Sequence, residues 1–530
     1  MTVANAKEIE LDIVGSSTFG RYPKISIART VNMFISDNWL VNYPGFKLTH
    51  DFVGAREGRG LFHSTRGNFL LCVIGSGVYR INSNGFPVQI GSLNSSRGEV
   101  SIDENLNSQV CIVDGEAAYI YSYLTGELTQ QTLTWTSGTV VPGYVSYHNT
   151  FFLFASTPTS DFPQNWYAFE PDPGNDNLIV FIRDFALQTK PDNTLAVIRQ
   201  PGRGNNVLVI GESVSEVWQQ VGGAENYRRI QTFNIDSGAV SPFTIAASDE
   251  FVVWVAQNEK SSPTLMVTDG AHVESISSDG ISFLLQSITH PEESSAFFYR
   301  IDGHLFYQFT FFNEEDNLSM VYDFDTKKFY DVTDENNNFH PARQAAYFNN
   351  TIFFVSIKDA GLYETSTNIE SYIYSTEPTA QGEQIPRIRI CTTARQNDSS
   401  PFRVGEVTFW IEQGVNDYLF EENTYIGQII TEQGDPIISE SGNFLITEDG
   451  YFTGSGITAI NSGAPKVDFS FSKNGNQSFS AAVPRFLNTQ GNYRNILRWQ
   501  RIGQANEFTA QFRFWGFQRF VVTDGVLRVY

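Results

Sequence analysis

NNVLVIGESVSEVWQQVGGAENYRRIQTFNIDSGAVSPFTIAASDEFVVWVAQNEKSSPTLMVTDGAHVESISS, residues 205–278, is a succession of short apolar runs, each closed by a turn former. Residues 207–210 (VLVI) end on Gly211, residues 214–219 carry Trp218, and further runs lie at 228–233 and 251–256. Runs of this length, rich in β-branched and aromatic residues and bounded by Gly, Asn, Asp or Ser, predict antiparallel strands joined by tight turns. No helix-length periodic segment interrupts them.

The same grammar extends in both directions. NFLLCVIG (68–75) precedes GVYRI (77–81), and SQVCIVDG (108–115) precedes AYIY (118–121). NTFFLFA (149–155) precedes NWYAF (165–169), DGHLFYQF (302–309) precedes SMVYDF (319–324), and NNTIFFV (349–355) precedes GLYE (361–364). A polar turn, an apolar strand, a gap and an aromatic-bearing strand recur about every 40–55 residues, the spacing of propeller blades. About six to seven such units fit between Gly60 and Thr367.

The remainder of the chain arranges itself around these units. Residues 1–59 hold an acidic leader, a strand-like run at 9–14, IARTVNMF (27–34) and YPGF (43–46). This segment is expected to enter the propeller and close it by adding a strand to the last blade, which covers edges that would otherwise stay open. Residues 60–375 are the blades. The polar stretch 376–384 is a linker. Strands at 387–392 and 404–413, the second alternating through Val407, Phe409 and Ile411, open a second β-domain. That domain, 385–416 and 464–530, is expected to be a β-sandwich-like platform. Its strand at Val467, Phe469 and Phe471 is followed by a hairpin turn at Lys473-Asn-Gly475. Residues 417–463 form an insertion with a short repeat: ITEQG (430–434), ISESG (438–442) and ITEDG (446–450) recur at a fixed step. The fold class predicted is all-β: a propeller, a platform and a small β-repeat insertion.

Composition narrows the chemistry. With 58 acidic against 35 basic residues, the formal charge is −23, which excludes binding nucleic acid by neutralising phosphates. Aromatic residues make up 14% of the chain, with 44 Phe and 23 Tyr, a usage suited to sheets packed face to face. Cys72, Cys111 and Cys391 are scattered without paired spacing, so neither a disulfide framework nor a zinc site is expected. The first residues lack the basic region and apolar core of a secretory signal, and no apolar run approaches the ~18 residues of a membrane helix. Synthesis in the cytoplasm without membrane insertion is expected.

No P-loop, GxSxG, HExxH or paired-cysteine motif occurs. The seven histidines are dispersed. EPDPGNDN (170–177) carries several oxygen ligands but lacks the order of a calcium loop and reads as a Pro/Gly/Asn turn. Asp323-Phe-Asp325 reads as a strand end and turn. No cofactor, metal or catalytic residue is assigned. The basic patch, Arg494, Arg498, Arg501, Arg513 and Arg519, is either a set of strand-face arginines paired with local acids or an interface for an acidic neighbour. Carboxylates are abundant, so a carbohydrate-binding or glycoside-hydrolysing propeller stands as an alternative.

Several motifs point the same way. RTVNMF (29–34) with Pro44-Gly45, EVW (216–218) followed by DSGA (236–239), and SKNG (472–475) before RWQRIGQ (498–504) resemble the packaged-DNA stabilisation, or tail hub and nozzle, proteins of short-tailed bacteriophages. The resemblance implies a non-enzymatic virion component, made in the host cytoplasm. Six copies would form a ring below the portal and adaptor, with tail fibre or needle proteins as further neighbours. The genome would pass through the lumen without sequence-specific binding, and a negative wall would keep DNA from sticking. A loop or the insertion would gate that lumen, though no gate residue is singled out. A distal adhesin that binds a host receptor is the other phage reading.

Overall fold

In a sheet with one wet face, apolar and polar residues alternate along each strand; a strand covered on both faces is apolar throughout. Phe69–Ile74, Gln109–Val113, Phe151–Ser156 and Asn206–Gly211 are buried at every position. Val252–Asn258, His304–Phe311 and Thr351–Ser356 are buried over most of their length. Each belongs to a separate sheet and pairs antiparallel with its neighbours on both sides. The computed structural model, which describes residues 7–20, 28–248, 250–377, 380, 382–396, 400–414, 465–475, 478–487 and 494–530, arranges these sheets as a seven-bladed propeller.

The innermost strands are Gly58–Ser64, Ser101–Glu104, Pro142–His148, Thr194–Arg199, Ala246–Ala247, Ser294–Ile301 and Ala342–Phe348. Each touches the next in this order except at the fourth blade, which meets the fifth through Asn206–Gly211 and Gly238–Ala239, and the last touches the first. Alternate residues of one strand therefore serve different neighbours. Leu70, Cys72 and Ile74 pack with Val355 and Leu362 of the seventh blade, while Phe69, Leu71 and Val73 pack with Val110 and Ile112 of the second. Burying such a side chain contributes roughly 1.5–3 kcal/mol, so neither face of a blade tolerates being left open.

Turn chemistry supports the register. The polar residues that open the repeated runs, Asn68, Ser108, Asn149, Asp302 and Asn349, all have positive φ, between 49° and 65°. Short polar side chains accept that left-handed backbone more readily than branched ones. One departure from the all-strand expectation is the helix Asp279–Gln286. Ser278 caps it by accepting from the Ile281 amide, and Ile281 and Leu285 are buried against the core between the fifth and sixth blades.

The contacts divide the chain into two units. The propeller unit comprises Ser16–Met33 and Tyr43–Ile385, and the other comprises Met1–Gly15, Phe34–Asn42 and Pro386–Tyr530. The segment 1–59, expected to serve the propeller, is thus shared between them. The strand expected at 9–14 is observed at Lys7–Glu10.

The second unit is a pair of facing sheets. In one, Phe520–Val529 pairs with Lys7–Glu10, Trp39–Asn42 and Phe402–Gln413, and the last pairs with Arg494–Ala505. In the other, Glu507–Trp515 pairs with Arg387–Ile390 and Lys466–Ser472. Phe409 of the first sheet stacks on Trp499 at 5.6 Å and meets Phe512 of the second edge-on at 4.9 Å. The hairpin turn expected at Lys473-Asn-Gly475 lies in the connection between two antiparallel strands, with Gly475 at φ 66°. The strand that follows Lys466–Ser472 and pairs with it is Val483–Phe486, with Phe469 opposite Val483, so the connection is longer than a tight turn. The repeat insertion at 417–463 lies outside the described residues.

Closure of the propeller falls to an early stretch of chain. Gly45–Asp51 pairs antiparallel with Gly361–Ser366 and parallel with Ser371–Ile373. A Cβ at Gly45 would sit 2.2 Å from the Ser371 carbonyl oxygen, so the position requires glycine. Phe46 is 1% exposed, stacks on Tyr372 at 4.3 Å and meets Phe354 and Tyr363 edge-on. Ahead of it, the Tyr43 hydroxyl bonds the Tyr299 hydroxyl and donates to Gln308 Oε1 at 3.1 Å, sealing the seam between the sixth and seventh blades. Phe46→Ala is expected to cost about 3–5 kcal/mol, the range for deleting a buried aromatic. Urea denaturation measures it, and a loss below about 1 kcal/mol would show that the closing strand is not held by this ring.

Candidate functional site

The motif residues of the sequence converge on structural tasks. Arg29 places Nη2 2.6 Å from Asp331 Oδ1, and Ser17 Oγ donates to Asp331 Oδ2 at 2.5 Å. Asn32, at φ 51°, works as a clip: its Oδ1 accepts from the Thr333 amide, its Nδ2 donates to Thr333 Oγ1, and its carbonyl accepts from the Tyr43 amide. These bonds hold the entering segment on the sixth blade.

Glu216 explains the EVW motif. Its carboxylate is fully buried and accepts from the amides of Gln188 and Thr189, the Thr189 hydroxyl at 2.6 Å and Trp218 Nε1 at 3.0 Å. Arg229 Nε stands 3.5 Å away. These bonds from Gln188 and Thr189 pin the 187–190 loop to the fourth blade. Gly238 of the DSGA motif lies against the Gly211 carbonyl, where a Cβ would approach within 2.3 Å, and its own carbonyl accepts from Trp254 Nε1.

In the sandwich unit the two late motifs meet. Lys473 Nζ donates to the Ile502 carbonyl at 3.0 Å, Trp499 is buried, and Gln500 Nε2 donates to Glu406 Oε2 at 2.6 Å.

The five candidate interface arginines do not form one patch. Arg494 and Arg498 are exposed on the same strand, opposite Glu412 and Thr408, and Arg494 Nε lies 2.9 Å from Glu412 Oε1. Arg501 is exposed at φ 62°, where the register slips. Arg513 belongs to the other sheet, over the Trp515 ring at 5.2 Å. Arg519 precedes the last strand, and its carbonyl accepts from the Gly414 amide.

The oxygen-rich loop at 170–177 is built of side-chain-capped turns: Asp172 Oδ1 accepts from the Gly174 amide and Asn175 Oδ1 from the Asn177 amide. At the sixth blade, His304, Asp323 and Asp325 place three potential ligand atoms within 4.8 Å of one another. Their atoms are already engaged. His304 Nδ1 is 2.9 Å from Asp323 Oδ2, which also accepts from Thr326 Oγ1, and Asp325 Oδ2 accepts from the Leu305 amide.

One feature has no counterpart in the motifs. The inner strands surround a cavity of about 250 Å³, lined by residues of six blades including Glu99, Tyr144, Phe243, Phe297, Phe298 and Gln344. Glu99 is 8% exposed, and burial pushes its carboxyl up to about 8, against the opposing pull of Arg343 and the Gln344 amide. Nearby Asp103 is pushed up to about 6 by burial, although the Tyr147 and Glu104 amides donate to it. Nothing in GEVSIDE (98–104) distinguishes these acids from the many on the surface, so the sequence reading passed over them.

Residues 19–365, well over half of the chain, match the phage stabilisation family described as "Bacteriophage P22 Gp10, beta-propeller". The chain belongs to that family. This phage stabilisation protein is accordingly a bacteriophage structural protein, and its matched span contains the RTVNMF, EVW and DSGA motifs. Among curated proteins, none matches the sequence. Solved structures similar to this phage propeller include a streptogramin B lyase, at 10% identity, covering 61% of this chain and 97% of that one, with a TM-score of 0.40. Virginiamycin B lyase from Staphylococcus aureus is similar at 11% identity over 61% and 99%, TM-score 0.41. The WD40 beta propeller domain of Doa1 is similar at 10% identity over 61% and 96%, TM-score 0.37.

Glu216→Ala would leave several buried donors without an acceptor, and removing one member of such a network costs about 3–5 kcal/mol. Guanidinium unfolding followed by tryptophan fluorescence measures it. A variant within about 1 kcal/mol of the parent would mean that the loop is held by something else.

Proposed function

We propose that the protein forms the nozzle or hub of a short phage tail. Six copies stand in a ring below the portal and adaptor, retain the packaged genome and conduct it during ejection. The observation that carries this reading is the family match over residues 19–365. The formal charge of −23 agrees with it, since an acidic wall repels DNA phosphates and lets the duplex slide. The work is mechanical rather than catalytic, consistent with the use of the motif residues Arg29, Asn32, Glu216 and Gly238 as internal fasteners. Electron microscopy of the protein mixed with its adaptor should show six-fold rings. Particles that never close would overturn the reading.

Arg494 and Arg498 are the pair best placed to meet an acidic neighbour, being exposed on one strand face. Exposed ion pairs contribute little to stability, so Arg494→Glu combined with Arg498→Glu should leave the thermal midpoint unchanged. Ring or adaptor assembly, read by sedimentation velocity, should weaken at least tenfold at low salt. Assembly at the parental level would remove these arginines from the interface.

A further inference from the structure

We propose that the axial cavity of the propeller binds a small organic ammonium ion, with the Glu99 carboxylate as its counter-ion. The cavity is a built site. Gln344 receives the Leu61 amide on Oε1 at 3.0 Å and donates through Nε2 to Glu99 Oε1 at 2.7 Å, which fixes the rotamer of both side chains. The other carboxyl oxygen, Oε2, is buried and has no hydrogen-bond partner among the described residues. An acceptor held in place with one oxygen left over is costly unless something donates to it.

The lining says which donor. Tyr144, Phe243, Phe297 and Phe298 surround the space with aromatic rings, whose faces attract cations. An ammonium group brings both charge and N–H donors to the Glu99 carboxyl, while its alkyl part meets side chains such as Leu61, Ile102 and Ile245. The volume of about 250 Å³ lies below that of sites for drug-sized ligands, so the occupant is small. The charged groups that act on Glu99 are Arg343 and Glu57, and the Tyr144 hydroxyl feels Glu99 in turn. Arg343 is engaged in part: its Nη2 lies 3.5 Å from Glu57 Oε2 and its guanidinium sits over the Phe312 ring at 5.1 Å, while its Nε and Nη1 have no hydrogen-bond partner among the described residues.

Burial pushes the Glu99 carboxyl up to about 8, so binding at pH 7 exchanges a proton for the cation. The proton leaves to buffer and no other bond changes. Binding therefore tightens as the pH rises from 7 to 9, while alkylammonium probes stay charged.

The test is calorimetric titration of the full chain with n-butylammonium chloride at pH 7 and pH 9, with n-butanol and sodium butyrate as controls. One saturable site is expected, tighter at pH 9, with proton release at pH 7 seen as a dependence on the buffer's ionisation heat. Glu99→Gln keeps the Gln344 bond and the shape, and should weaken binding at least tenfold. Difference infrared spectra of the unmutated protein should lose a protonated carboxyl band and gain a carboxylate band, a readout that does not require the variant to fold. Equal binding of n-butanol, full binding by Glu99→Gln, absence of saturable binding, or an unchanged carboxyl band would each overturn the proposal.

Discussion

The constraint on which the propeller depends is two-sided burial. Each blade carries a central strand with no polar face, so each needs a neighbour on both sides. A row of such blades always leaves two apolar faces bare, and joining the ends is the arrangement that leaves none. The ring is thus a consequence of strand composition. The inner strands also carry polar positions such as Ser101 and Gln344, and Glu99 stands just ahead of one; their hydrogen bonds line the axis. Hydrogen bonds across blades, such as those linking Ser101 Oγ with Val145 and Ser146 Oγ with Val197, keep adjacent blades in step.

Much of this is legible in the sequence because it is local. Continuous apolar runs after a polar turn residue mark the second strand of each blade, and five of those turn residues prove to be left-handed. The seventh blade completes a count that the repeat spacing leaves between six and seven. What escapes is what depends on distance along the chain. The helix Asp279–Gln286 had a signal in Ser278 followed by Ile281, Leu284, Leu285 and Ile288, but a segment of two turns hides among strands of similar length. The sharing of the first residues between two units depends on partners more than three hundred residues away.

The candidate site shows the same division. The arginines gathered between 494 and 519 read as a patch, but the strands that carry them belong to different sheets, and one arginine sits at a bulge. Conversely Glu99 and Gln344 belong to opposite ends of the propeller sequence and meet only because the ring closes. Family motifs fall in between. In three dimensions they are fasteners: a clip at Asn32, a buried acceptor at Glu216, a close approach at Gly238. Residues that hold a fold together are informative about descent and silent about the surface that meets a partner.

The placement of Gly45–Asp51 beside Gly361–Ser366 also imposes an order of events during synthesis. The early strand leaves the ribosome long before its mate exists, and an incomplete blade stays open while the intervening blades form one after another. Ring completion is then the final step, reached only after residue 366 emerges, and pairing across so long a span is intrinsically slow. A nascent chain stalled short of that point would carry an unpaired edge and an apolar blade face, the surfaces that chaperones bind and that drive aggregation.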